Sequence, residues 1–213
     1  MLQYKTIEPG TLQLLKSLQA IPLLQGLRLV GGTALALQLG HRKSVDLDLF
    51  GEITAEGIEI RDALEEHFSV SVVKESKNIK IYQVDGIKVD LVNYSRYPWI
   101  DNSVEEDGIA LAGIKDIAAM KVAAIIGRGT KKDFIDMNRL LQLFSLKEIL
   151  DMYIQKYPDG SLFIALKSLA YFEDAEANPM PFMFDDTDWG VVKANIRDAI
   201  AGISSTLVKN APL

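Results

Sequence analysis

The stretch that most limits what this chain can become is 29–50, LVGGTALALQLGHRKSVDLDLF, because it joins a glycine pair, a helix-forming run and two aspartates one residue apart. After Gly31 and Gly32, the run Thr33, Ala34, Leu35, Ala36, Leu37, Gln38 and Leu39 favours helix, with Thr33 placed as a cap and Gly40 as the stop. A helix that starts at a glycine pair offers backbone N–H groups that no side chain shields, and that suits a phosphate. In 45–50 the acids alternate with apolar residues, so a strand there projects Asp46 and Asp48 from one face. Two neighbouring carboxylates repel unless a cation lies between them. Mg²⁺ fits, since it takes a few carboxylates and leaves its other positions to water and substrate phosphate. A phosphate-cradling turn followed by an acid pair describes a site for a nucleoside triphosphate and its metals. The competing reading, a surface strand with solvated acids, fits Asp-Leu-Asp alone better than it fits the turn and helix before it.

The rest of the chain bounds the setting. Its 213 residues suffice for one large domain or two small ones with a sizeable core. No apolar run approaches bilayer length, and the N-terminal MLQYKTIEPG lacks the basic-then-apolar layout of a signal peptide. Cysteine is absent, which excludes disulfides and thiolate metal sites and makes a reducing cytoplasm the expected location. A net charge of −6, from 29 acids against 23 bases, argues against a broad nucleic-acid footprint while remaining compatible with a local basic groove.

Taken in order, 9–19 reads as a packing helix with Leu12, Leu15 and Leu18 in one stripe, ended by Pro22. A short helix or strand over 23–30 leads to the glycine pair. Helix is expected over 54–66, capped by Thr54, with Ile58, Ile60, Leu64 and Phe68 toward the core. Strands follow over 69–74, 79–84 and 87–94, the last two joined by Asp85-Gly86, a strong hairpin signal. Asp90 is then a lone acid among apolar neighbours; it reads either as an edge acid facing solvent or as a carboxylate needing a counter-cation or a cleft. The polar segment 95–107, broken by Pro98, reads as a linker or lid. The expected class is therefore α+β, with a mixed sheet flanked by helices over 1–107 and a helical region over 108–213.

Within the helical half, Ile109 to Ala112 reads as a short strand or extended lead, and a helix opens over 113–116. Lys121 interrupts the apolar run IAAMKVAAII, and either snorkels to the surface or serves as a point charge for phosphate. Asp133 and Asp136, at spacing i, i+3, can share a helix face; capping with solvent exposure competes there with a functional role. Ser145 with Glu148 predicts a capping box for a helix over 145–157, and helices are expected over 161–172, with Leu162, Ala165, Leu166 and Leu169 in its stripe, and over 189–208. The stretch 173–189 reads as a surface loop pinned by aromatics, or as a partner-binding strip. Of the two histidines, His41 is expected to position neighbours and His67 to lie at the surface.

The Gly-Gly turn, Asp46-x-Asp48 and a third acid on a later strand resemble the DNA polymerase beta-like nucleotidyltransferase superfamily. Within it, GGTALALQLGHRKSVDLDLF, together with KVAAIIGRGTKKDFIDMNRLL, resembles the AbiEii/AbiGii toxin family, toxin halves of bacterial type IV toxin–antitoxin and phage-abortive systems. The resemblance implies that Gly31, Gly32 and Thr33 hold nucleotide phosphate, that Asp46 and Asp48 hold metal, and that Lys121 and Asp133 act in nucleotide contact and catalysis, with Asp136 completing their motif. Arg128 and Lys132 would add positive charge near the triphosphate, and Asp90 matches the third acid more loosely. The implied reaction is in-line attack of an acceptor hydroxyl on the α-phosphate of an NTP, releasing pyrophosphate, with two Mg²⁺ ions. The implied acceptor is the 3′ end of tRNA, held locally, with a protein acceptor as an alternative, and a cognate antitoxin encoded nearby is the implied partner. A small-molecule nucleotidyltransferase of the antibiotic-modifying type and a non-catalytic NTP-binding module are the rival readings.

Overall fold

The computed structural model describes residues 1–209, with side chains through 203. Compact packing divides the chain into Met1–Gly113 and Ile114–Leu213.

The first unit opens with α1 (Pro9–Ala20), whose proline occupies the first turn, where its missing N–H costs nothing, and whose Thr11, Leu14, Leu15 and Leu18 are buried. Then come β1 (Arg28–Leu29), α2 (Gly31–Leu39), β2 (Leu47–Gly51), α3 (Gly57–Glu65), β3 (Val70–Glu75), β4 (Ile79–Val84), β5 (Ile87–Asn93), β6 (Val104–Glu106) and β7 (Ile109–Leu111). Among the described residues the strands form one seven-stranded mixed sheet, ordered β3-β4-β5-β2-β1-β7-β6. Asp85 and Gly86 both take positive φ (49° and 79°), so the hairpin turn is the twist-matched two-residue kind that Asp-Gly predicts. β2 pairs in parallel with β5 and antiparallel with β1. One face of these strands, carrying Leu29, Leu47, Leu49, Val89 and Leu91, is fully buried.

Four expectations need correction. The acid strand starts at Leu47, not Val45, so Asp46 stands just ahead of it, and Val45 is exposed. The next helix begins at Gly57, capped by a reciprocal Glu56–Glu59 box and not by Thr54, and its Ile58 faces solvent while Ile60 and Leu64 are buried. A carboxylate three residues ahead of another can make the same reciprocal bonds as Ser or Thr, and that pattern outcompeted Thr54. Segment 95–107, expected as a linker or lid, ends in β6, which pairs with β7. Its Glu106 accepts from the Leu2 amide at 2.7 Å, so the chain start is tied to this strand.

The second unit contains α4 (Ile114–Gly127), α5 (Lys131–Leu140), α6 (Leu146–Lys156), α7 (Leu162–Leu169), the short α8 (Glu173–Glu176) and α9 (Trp189–Lys209). α6 carries the Ser145–Glu148 capping box the sequence predicts. α7 is shorter than expected, and its Leu162 is exposed while Ala165 and Leu169 are buried. The buried rings of Phe134 and Phe172 meet at a tilt with centroids 4.8 Å apart, and the half-buried Trp189 meets them edge to face at 6.0 and 5.9 Å. No helix among the described residues is long and apolar enough to cross a membrane.

Candidate active site

The first group of predicted site residues is assembled by α2, β2 and β5. Val30 precedes α2 in extended conformation, and its amide donates to the Asp48 carbonyl at 2.8 Å, which fixes the glycine turn against β2. Gly31 turns the chain at φ +69°, where L residues are strained. A Cβ there would sit 2.3 Å from Asp48 Oδ2, so only glycine lets the turn approach that carboxylate. Thr33 is not a cap: it lies buried in the first turn and its hydroxyl bridges to the Asp46 carbonyl and to Ser44 Oγ, the latter at 2.8 Å. A cap would have accepted from a helix amide; here the hydroxyl ties α2 to the chain entering β2 and so fixes Asp46. Gly40 ends the helix in the left-handed conformation, as expected.

Asp48 pairs with Asp90 in the β2–β5 register. Neighbouring strands lie ~4.8 Å apart, so the two side chains leave the same face side by side. Asp90 has a counter-cation on its own strand: Lys88 Nζ lies 2.6 Å from Oδ1 and 2.7 Å from Oδ2. The spacing Lys88-x-Asp90 places both on one strand face, a signal the sequence reading passed over. Asp46 and Asp48 are half-buried. Among the described residues, no group of three or more His, Cys, Asp or Glu is gathered that could hold a metal by protein ligands alone. The hard oxygens of the two aspartates suit Mg²⁺, whose remaining positions are normally filled by water and phosphate. Of the histidines, His67 is exposed as expected and His41 is buried.

The second group lies on α4 and α5. Lys121 does not snorkel: its residue is 3% exposed, and its ammonium reaches Asp136 Oδ2 at 2.6 Å and Asp133 Oδ1 at 3.1 Å. Asp133 is buried too, and collects Arg128 through Nε at 2.9 Å and Nη2 at 3.1 Å, and the Thr130 hydroxyl at 2.7 Å. Thr130 and Asp133 form a capping box that starts α5, readable in Thr-Lys-Lys-Asp but missed. Burial alone would raise the Asp133 carboxyl, yet Lys121, Arg128 and Thr130 together outweigh it and hold that group well below the usual carboxylate range. Capping and burial thus coexist at Asp133. The Arg128 side chain is 65% exposed despite its bond to Asp133, and Lys132 faces solvent.

A further buried pair, Lys156 with Asp116 at 2.7 Å, joins α6 to α4 with neither side chain exposed. Forty residues separate the partners, so no local pattern announces them.

The sequence profile of a family described as "Nucleotidyl transferase AbiEii toxin, Type IV TA system" matches residues 13–201. An uncharacterized protein of Aquifex aeolicus (strain VF5) is 40% identical over 153 residues, covering 69% of this chain and 74% of that protein. Among solved structures, a Helicobacter pylori protein described as a candidate nucleotidyltransferase superposes with a TM-score of 0.63 at 18% identity, over 97% of this chain and 100% of its own. MenT4, a nucleotidyltransferase toxin of Mycobacterium tuberculosis H37Rv, does so with a TM-score of 0.59 at 16% identity, over 90% of this chain and 83% of its own. These likenesses place the α+β fold among nucleotidyltransferases.

Proposed function

This chain belongs to the AbiEii nucleotidyltransferase toxin family and is a nucleotidyltransferase, and we propose that it moves a nucleoside monophosphate from an NTP to a hydroxyl at the 3′ end of tRNA, as the toxin of a type IV toxin–antitoxin system. The observation that carries this reading is the contact at Gly31, where the turn comes so close to Asp48 that a methyl group would collide with its carboxylate. A turn of free amides beside a carboxylate pair suits a phosphate bridged to a divalent ion.

In this reading the α2 turn at Gly31, Gly32 and Thr33 cradles phosphate, and Asp46 and Asp48 would hold Mg²⁺, which would supply charge neutralisation for the α-phosphate and the leaving group. Thr33 keeps Asp46 in place through its carbonyl. The acceptor oxygen forms a bond to the α-phosphorus, the bond to pyrophosphate breaks, and pyrophosphate departs. Asp90 is the candidate to orient the acceptor and take its proton, and as a third metal ligand it would exchange Lys88 for the divalent ion. Asp133 suits general base work poorly, because Lys121 and Arg128 stabilise its ionised form. It anchors Lys121 and Arg128 within the second unit.

The net charge of −6 favours the small-molecule alternative to the extent that it lowers attraction for RNA. Incubation with labelled NTPs, Mg²⁺ and total tRNA separates the readings. Label on tRNA, reduced roughly 100-fold or more in Asp48→Asn, is expected; label only on a small molecule, or NTP binding without transfer by the folded wild type, refutes the tRNA assignment. Growth arrest on expression, relieved by Asp48→Asn, is the corresponding cellular outcome.

A further inference from the structure

The half-buried strand face that carries Asp48 continues into a cluster of rings. Phe50 follows Asp48 by two residues, so it leaves the same face about 7 Å further along the strand. Its ring meets Tyr94 at 5.2 Å, and Tyr94 in turn meets Tyr97 at 4.8 Å and Trp99 at 5.6 Å. Arg28, the cross-strand partner of Phe50, lays its guanidinium 4.3 Å from the Trp99 ring centroid and is steadied by a bond to the Asp101 carbonyl at 3.1 Å. This is more than a core cluster reaching the surface, because Tyr94 is buried while Tyr97 remains 42% exposed. Arg96, beside it, is exposed and makes no ion pair or hydrogen bond among the described residues. Pro98 restricts Tyr97 to extended backbone and fixes its own φ, so the rings are presented by a stiff segment.

Rings interleaved with arginines are what unpaired nucleobases stack on, since every base offers a π-face and the guanidinium serves the adjoining phosphate. We propose that the platform of Tyr97 and Trp99, with Arg28 and Arg96, holds an unpaired nucleobase and its phosphate in the single-stranded end of the acceptor RNA. The placement beside Asp48 rests on the nucleotidyltransfer reading above, but base stacking on these rings does not. It gives an acidic chain a local means of holding RNA without a broad basic surface. The contact is with the face of the base, so sequence preference at this position is weak.

The test uses the full chain and fluorescently labelled single-stranded RNA oligonucleotides of mixed sequence, read by anisotropy, with transfer kinetics in parallel. Tyr97→Ala is expected to weaken oligonucleotide binding roughly 10-fold, Tyr97→Phe to stay near wild type, and Arg96→Gln to lower both affinity and its salt dependence. Acceptor KM rises in Tyr97→Ala while NTP KM stays unchanged. Thermal unfolding of each variant is measured alongside, since the exposed positions leave folding intact. Binding by Tyr97→Ala within twofold of wild type overturns the proposal, as does a loss confined to NTP. Oligonucleotide binding that depends on Tyr97 in a protein that transfers nothing to RNA upholds the platform and refutes the transfer reading instead.

Discussion

Replacing Lys121 by methionine removes one charge and little volume, and so isolates what that ammonium does. Its contacts to Asp136 at 2.6 Å and Asp133 at 3.1 Å correspond, at an effective dielectric of 20, to gross attractions of about 6 and 5 kcal/mol. Desolvating three buried ions offsets several kcal/mol for each, so the intact cluster has little net worth relative to an apolar one. Removal of one member has no such compensation. Lys121→Met removes the 2.6 Å contact of Asp136 and the 3.1 Å contact of Asp133, and breaking a buried ion pair costs about 3–5 kcal/mol. The measurement is denaturant unfolding of wild type, Lys121→Met, Asp136→Asn and the double variant. Lys121→Met is expected to lose about 3–5 kcal/mol, and the double variant to recover part of that loss, with a coupling of ~2 kcal/mol. A stability within ~1 kcal/mol of wild type, with strictly additive single effects, would refute the reasoning.

Three other outcomes follow from the same geometry. Gly31→Ala places a methyl 2.3 Å from Asp48 Oδ2 at a φ of +69°; it should cost ~1–3 kcal/mol and lower transfer about 100-fold by moving the carboxylate, whereas wild-type kinetics would show the turn to be unimportant. The buried Tyr82 hydroxyl finds no hydrogen-bond partner among the described residues, and burial pushes its pKa up to about 12; Tyr82→Phe should therefore stabilise the protein by ~1 kcal/mol, and a lower melting temperature would contradict this. Asp133 titrates below its unfolded value of about 3.9, so its stabilising effect is complete above that pH and is lost as pH falls through its folded value. Stability curves of wild type and Asp133→Asn should run parallel at neutral pH and converge below about pH 4; curves parallel throughout would mean that its ion pairs contribute nothing.

Local rules carried the reading of the sequence a long way. The Asp85-Gly86 turn, the Ser145–Glu148 box, the Gly40 stop and the strand alternation around Asp48 each depend on residues within a few positions, and each was legible. Where two local signals competed, the choice went astray: Thr33 and Thr54 both looked like caps, but the first turned its hydroxyl to Asp46 and Ser44 and the second lost to Glu56 and Glu59.

The chemistry of the two motifs was thus set by residue type and short spacing, because phosphate cradling and paired carboxylates need only a turn and a strand. Their electrostatic condition was decided by the fold. Whether Lys121 snorkels or is walled in depends on α5 packing over α4. Lys156 and Asp116, forty residues apart, meet only because two helices pack. Charges in low dielectric are governed by their nearest partner, and for side chains distant in sequence only tertiary packing determines which partner that is.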